Sequence, residues 1–242
     1  MRLKDFLVKI LTLGFYNPRW RCNACGKEIF DGGFFCKDCE KKLPYNDKTV
    51  CEHCGRKITN PAEYCSTCRE NMTSVDKARS VFDYAPPISG LIKKAKYDNG
   101  RYILDYFAEK LAYVYLKNFF RSEVVCSVPM SEQRLKKRGY NQSEILAKKV
   151  ADKINVPFKD CLAKTKETER QAKLSRTERL KNLTDSFRVK SKKAVQGKNV
   201  LLIDDVTTTG ATAEAVAVKL KKAGALRVHL LTVASVPPKE GY

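Results

Sequence analysis

The sequence predicts an α/β chain in which a parallel-sheet domain follows a small cysteine-rich module. Three features carry the prediction. Val200-Leu201-Leu202-Ile203 is an uninterrupted apolar run, the pattern of a strand buried on both faces of a parallel sheet. From about residue 75 onward, such runs alternate with stretches of helical periodicity, which is how α/β sheets are written. Ahead of them stand four C-x2-C pairs, a spacing that favours metal over disulfides where nothing signals secretion.

At 242 residues the chain can hold one full α/β domain and a small accessory one. No stretch approaches the ~18 apolar residues that would span a bilayer. The basic, partly apolar N-terminus is interrupted by Asp5 and Lys9 and lacks a small-residue cleavage site. The expected location is cytoplasmic, with no membrane span. The formal charge of +20, or +16 with eight thiolates on two zinc ions, calls for a polyanionic partner. Between Arg134 and Lys193 there are 19 Lys/Arg against 7 Asp/Glu, so much of the excess sits in one region.

Residues 1–18 place Leu3, Phe6, Leu7, Ile10 and Leu13 on one side of an amphipathic helix that Gly14 and Pro18 end. Packing on the protein's own core is its expected role. Residues 19–72 hold an internal repeat: Cys22, Cys25, Cys36 and Cys39 recur 29 residues later as Cys51, Cys54, Cys65 and Cys68. Each copy opens C-x2-C-G-[KR]-[KE]-I and supplies four thiolates, enough for one closed tetrahedral zinc site. The glycine suits a tight knuckle whose N–H groups donate to sulfur. Segments this small bury little core, so metal would supply their folding free energy. One zinc per copy and a cross-braced pairing both remain open. His53 is read as a spectator.

Residues 73–242 form the main domain. A first strand is expected over Val75–Tyr84 with a break at Pro86-Pro87, then a basic helical stretch from Gly90 to Tyr97 and a long helix over Arg101–Phe119. Val124–Pro129 reads as a second buried strand. The loop after it, Arg134 to Gln142, carries four cations in five residues and includes Arg134, Lys137, Arg138, Gly139, Tyr140 and Asn141. Guanidinium and N–H donors at that density suit concentrated negative charge. The polar segment Thr165–Ser186 fits a flexible lid, with Arg170, Gln171, Lys173, Arg176 and Arg179 as its donors. Phe187–Val189 and Leu226–Val233 are further strands. His229 is expected to pack rather than react, and Cys126 and Cys161 to be buried free thiols.

The candidate site begins where Val200–Ile203 ends. Asp204 and Asp205 arrive at the C-terminal end of the strand, where ligands bind in open α/β sheets. Val206, Thr207, Thr208, Thr209, Gly210, Ala211 and Thr212 follow as a hydroxyl-rich turn leading into a helix. Such a turn can wrap an anion, and the helix N-terminus adds partial positive charge. The carboxylates must face something neutral or cationic beside that anion, such as sugar hydroxyls or a magnesium ion. A ribose 5-phosphate has this layout.

The stretch resembles the phosphoribosyl pyrophosphate (PRPP) motif of type I phosphoribosyltransferases. The resemblance implies that Thr207–Thr212 bind the 5-phosphate, that Asp204 and Asp205 contact the ribose hydroxyls as catalytic residues, and that the Arg134–Asn141 loop holds pyrophosphate with Mg²⁺. The cysteine repeat, Arg138-Gly139-Tyr140-Asn141-Gln142, the Gln171…Leu174…Arg179…Asn182 segment and the Asp204-Asp205 motif, in this order, resemble the ComF family. Tyr140 stands where that family often has phenylalanine. The resemblance implies a double zinc ribbon ahead of a phosphoribosyltransferase-like domain. It further implies a role in natural competence, with incoming single-stranded DNA as a partner and a helicase of the uptake machinery as another. An active Mg-dependent phosphoribosyltransferase acting on a nitrogen base is the alternative, although no segment reads as a base-recognising hood.

Overall fold

The computed structural model describes residues 21–46, 49–58, 63–70, 73–97, 100–166 and 176–236. The expected N-terminal helix lies outside them. The chain divides into two compact units, Met1–Leu43 and Pro44–Tyr242. The second cysteine copy therefore belongs to the unit that contains the sheet.

The two cysteine copies fold alike because they share the same local sequence. In the first, Cys22 N–H donates to Lys27 O and Gly26 N–H to Cys22 O, at 2.8 and 2.9 Å. In the second, Cys51 to Arg56 and Gly55 to Cys51 repeat those bonds at the same distances. Gly26 and Gly55 sit at φ +74° and +67°, a left-handed turn that a side chain would strain. Each copy then places its second cysteine pair around a short helix, α1 (Lys37–Glu40) and α2 (Ser66–Glu70).

The main sheet has four parallel strands, β1 (Lys77–Asp83), β2 (Val124–Ser127), β5 (Asn199–Thr207) and β6 (Arg227–Ser235), in the order β1-β6-β5-β2. Between β1 and β2 run α3 (Ile88–Lys94) and α4 (Ile103–Lys117); α5 (Glu132–Arg138) and α6 (Gln142–Ile154) follow β2. A two-stranded antiparallel ribbon of β3 (Leu162–Lys164) and β4 (Phe187–Val189) flanks α7 (Arg176–Asp185), and α8 (Ala211–Lys222) links β5 to β6. Side chains alternate along the strands, so the sheet has two buried faces. Val124, Cys126, Val200, Leu202, Val228 and Leu230 pack with α8 and the small ribbon. On the other face α4 lies on β1 and β6, and α6 on β2 and β5. That three-layer arrangement is the predicted fold class.

Three expectations change. The basic loop at Arg134 is the helix α5, capped by Ser131, whose Oγ accepts Arg134 N–H at 3.4 Å, and closed by Gly139 at φ +79°. It buries no residue, so it lacks the apolar stripe by which a helix is recognised. Half of the polar Thr165–Ser186 segment is α7, held to the core by Leu180 and Leu183; residues 167–175 lie outside the described residues. Strand β5 runs on through Asp204 to Thr207, paired with Thr232, Ala234 and Ser235 of β6.

The second cysteine copy and the segment leading into it are bonded to the outer side of β1. Ala78 N–H donates to His53 O at 2.6 Å, Asp83 N–H to Pro44 O at 2.8 Å, and Asn46 N–H to Val81 O at 2.9 Å. A methyl group on Gly55 would lie 2.4 Å from Ala78 O. Arg79, only 6% exposed, donates to Glu52 O at 2.9 Å, Cys51 O at 3.3 Å, Asn118 Oδ1 at 3.0 Å and the Glu52 carboxylate at 2.5 Å. Replacing it strands the buried Cys51 O and the partly buried acceptors around it. The predicted cost of Arg79→Ala is about 2–4 kcal/mol, to be read as a lower urea midpoint of the Pro44–Tyr242 unit.

Candidate functional site

Strand β5 delivers adjacent carboxylates to the C-terminal edge of the sheet. Asp204 accepts Ser143 Oγ–H at 2.8 Å and Asp205 N–H at 2.9 Å. Asp205 accepts Gln142 Nε2–H at 2.8 Å and Val206 N–H at 2.7 Å, with Lys96 Nζ 3.6 Å away. Gln142 and Ser143 are the first residues of α6, so the carboxylates also face that helix's positive end. Asp204 is pushed up to about 7, first by burial and then by the charge of Asp205, against which Ser143, the Asp205 N–H and Lys96 pull down.

Beyond Asp205 the chain turns through Thr208 and Thr209 to Gly210, at φ +81°, which begins α8. Thr209 Oγ1 accepts Ala211 N–H at 3.3 Å, and Glu214 N–H bonds Gly210 O at 2.9 Å. The first turn of α8 leaves N–H groups open, as helix starts do. A small cleft is lined by Asp204, Thr207, Thr208, Gly210, Ala211 and Thr212. Thr208, Thr209 and Thr212 are exposed and Thr207 is buried. This pairing of carboxylates with a hydroxyl-lined helix start suits a ligand that has both hydroxyls and an anionic group.

The Arg134–Asn141 stretch divides by side-chain environment. Arg134, Lys136 and Lys137 are exposed on α5. Tyr140 and Asn141 are buried and turned inward: Tyr140 Oη donates to Ala95 O at 2.5 Å, and Asn141 Nδ2 donates to Val128 O at 3.1 Å. Asn141 Oδ1 also caps α6 through Ser143 N–H at 3.1 Å. Arg138 Nη1 donates to Gln142 Oε1 at 3.3 Å, which extends the Gln142–Asp205 contact outward. Tyr140 thus fixes the turn that carries Lys96, while Asn141 fixes the helix start that carries Gln142 and Ser143. The sequence does not mark Lys96 or Ser143 as site residues. Ser143 directly follows the signature, but Lys96 is more than a hundred residues from Asp205 and gives no local signal. Of the lid residues, Arg170, Gln171 and Lys173 lie outside the described residues. Arg176 and Arg179 fall on α7.

The cysteines sort into two tetrads, Cys22/Cys25/Cys36/Cys39 and Cys51/Cys54/Cys65/Cys68, with the sulfurs of each within 4.8 Å of one another. The pairing is per copy, not cross-braced. Four sulfurs at ~2.3 Å from one zinc stand about 3.8 Å apart. Cys25 and Cys36 are 3.9 Å apart, and Cys54 and Cys65 are 3.8 Å apart. Burial raises Cys22, but N–H donors of Cys25, Cys36 and Ala24 outweigh it and bring it down to about 6. Sulfur neighbours push Cys39 up to about 12, and burial does the same to Cys54. A divalent cation relieves that crowding, and both tetrads fit zinc. His53 is buried against Thr73, its Nε2 2.8 Å from Thr73 Oγ1. His229 packs on Phe120 with ring centroids 5.0 Å apart, and burial lowers it to about 4. Cys126 and Cys161 are buried, with sulfurs 2.9 Å apart.

The raised Asp204 sets a pH dependence. Between its ordinary 3.8 and about 7, the folded chain keeps a proton that the unfolded chain has lost. This residue therefore costs stability at high pH and costs less as pH falls. Asp204→Asn is predicted to raise the melting temperature by about 5 °C at pH 8. The gain should shrink to roughly half by pH 5.5, as a series of thermal melts would show.

Residues 141–241 match the family described as phosphoribosyl transferase domain, and residues 13–70 match the double zinc ribbon domain. Competence protein F of Haemophilus influenzae is 29% identical over 217 residues, which cover 86% of this chain and 82% of that protein. DNA utilization protein YhgH of Escherichia coli K12 is 31% identical over 157 residues, 62% of this chain and 68% of that one. Competence protein ComFC of Bacillus subtilis is 29% identical over 135 residues, 55% and 53% of the two chains. Both cysteine tetrads and the Asp204–Thr212 turn fall inside these matches, and the chain belongs to the ComF family.

Proposed function

We propose that the cleft at the end of β5 binds PRPP or a related phosphorylated ribose together with Mg²⁺. On this reading the chain serves natural competence as a cytoplasmic handler of incoming single-stranded DNA. The observation that carries the ligand class is the Asp204–Asp205 pair beside the Thr208–Thr212 turn. The turn and the α8 N-terminus take the 5-phosphate, and the carboxylates take the ribose hydroxyls. Carboxylate oxygens are the hard donors that suit magnesium, which would supply countercharge to the pyrophosphate. Two structural zinc ions, one per tetrad, hold the ribbons and suit a reducing compartment.

The DNA role draws on the relatives' names, Competence protein F, DNA utilization protein YhgH and Competence protein ComFC. Surface chemistry supports it. Exposed Arg134, Lys136 and Lys137 line α5, and Tyr97 is 69% exposed. The Tyr97 carbonyl accepts Tyr140 Oη–H at 3.0 Å, which fixes this aromatic beside the end of α5. Cations for phosphate and an aromatic for stacking are what a single strand requires. A helicase of the uptake machinery is the proposed protein partner. Among the described residues no helix is long and apolar enough to cross a membrane.

One observation favours a second reading, an active phosphoribosyltransferase using a nitrogen base. The two carboxylates are oriented by Ser143, Gln142 and Lys96, more than an anion seat alone requires. Negative charge so placed would stabilise a ribosyl centre of oxocarbenium character.

In calorimetry with PRPP and Mg²⁺, wild-type protein should bind and Asp205→Asn should weaken binding by about tenfold or more. Equal heats would end the ligand assignment. In fluorescence anisotropy with a labelled single strand, reversing Lys136 and Lys137 to Glu should weaken binding and lower the salt slope by about one to two. Unchanged affinity and slope would remove α5 from the DNA surface.

A further inference from the structure

The cysteine repeat puts a cation after each knuckle glycine, Lys27 in the first copy and Arg56 in the second. In the second copy that position is fixed. Gly55 lies against Ala78 so closely that a methyl group there would meet Ala78 O at 2.4 Å, and His53 O is bonded to Ala78 N–H. Arg56 O accepts Cys51 N–H at 2.8 Å. The half-buried Arg56 side chain runs from this fixed backbone toward the Thr208–Gly210 turn: its Nη2 lies 3.9 Å from a methyl group built on Gly210. The same knuckle is tied to α8 itself. His53 Nε2 meets Thr73 Oγ1, and Ser74 N–H donates to Glu214 Oε2 at 2.8 Å.

This placement is electrostatically unusual. A helix N-terminus favours anions and disfavours cations. Among the described residues, the Arg56 guanidinium has no hydrogen bond or ion pair with a carboxylate. A cation beside the start of α8 makes physical sense when an anion lies between the two.

We propose that Arg56, contributed by the second zinc ribbon, is part of the sugar-phosphate site and donates to the phosphate held by the Thr208–Thr212 turn. The inference rests on the proposed binding of a phosphorylated ribose at this turn. It makes the site a joint product of two modules, with the phosphate group as the ligand class that Arg56 reads. Arg56 follows Cys51 and Cys54, and its carbonyl is bonded to Cys51 N–H, so the knuckle sets where its backbone stands.

The test is calorimetry of ribose 5-phosphate on the full chain, comparing wild type with Arg56→Gln and Arg56→Lys. Zinc content and melting temperature are measured for each. The expected result for Arg56→Gln is a loss of affinity of about tenfold or more, with zinc content and melting unchanged. Arg56→Lys should recover part of it, because a point charge replaces a fork. Unchanged affinity in Arg56→Gln would overturn the proposal while leaving the sugar-phosphate reading standing, provided Asp205→Asn still impairs binding. Loss of affinity that appears only together with loss of zinc or of melting temperature would also overturn it, in favour of a purely structural role. Absence of ribose 5-phosphate and PRPP binding by wild type would remove the reading beneath it and the proposal with it.

Discussion

Two neighbouring carboxylates at the end of a strand buried on both faces repel each other and lose water, and the architecture around β5 answers that problem. Helix α6 aims its N-terminus at the pair and spends its first two side chains, Gln142 and Ser143, on them. Lys96 arrives from the turn after α3. Even so, Asp204 keeps a raised proton affinity. A residue that costs stability where it stands is better explained by what it holds than by the fold. In the proposed reading, sugar hydroxyls between the carboxylates and the Thr208–Thr212 turn satisfy both.

The Arg138-Gly139-Tyr140-Asn141-Gln142 signature gains a physical meaning from this. Gly139 ends α5 in the left-handed conformation, Tyr140 clamps the Ala95–Tyr97 turn, Asn141 caps α6, and Gln142 meets Asp205. Four consecutive positions thus serve one aim, fixing the acidic pair from two sides. Arg138 bonds Gln142 from the outside, and the exposed cations of α5 face outward.

What was legible in the sequence was local. The apolar run of β5, the acidic pair and the hydroxyl turn occupy consecutive positions, and each cysteine tetrad spans fewer than twenty residues, so spacing alone reveals them. Helix α5 escaped because a helix with no buried face leaves no period in the apolar residues. Lys96 and Arg56 escaped for another reason. Each reaches the site through tertiary packing, across more than a hundred residues of chain, and a single basic residue among 47 carries no mark of its destination.

The bonds between the second ribbon and β1 bear on where this protein can be cut. Motif boundaries suggest that a transferase half could start near residue 73 and stand alone. Such a fragment would lose His53, Pro44 and Asn46, the partners of Ala78, Asp83 and Val81, and would present β1 as a naked sheet margin. Unpaired margins of that kind recruit other chains and aggregate. The segment from Pro44 through the second cysteine knuckle thus covers the β1 margin, and the compact unit that keeps this cover begins at Pro44.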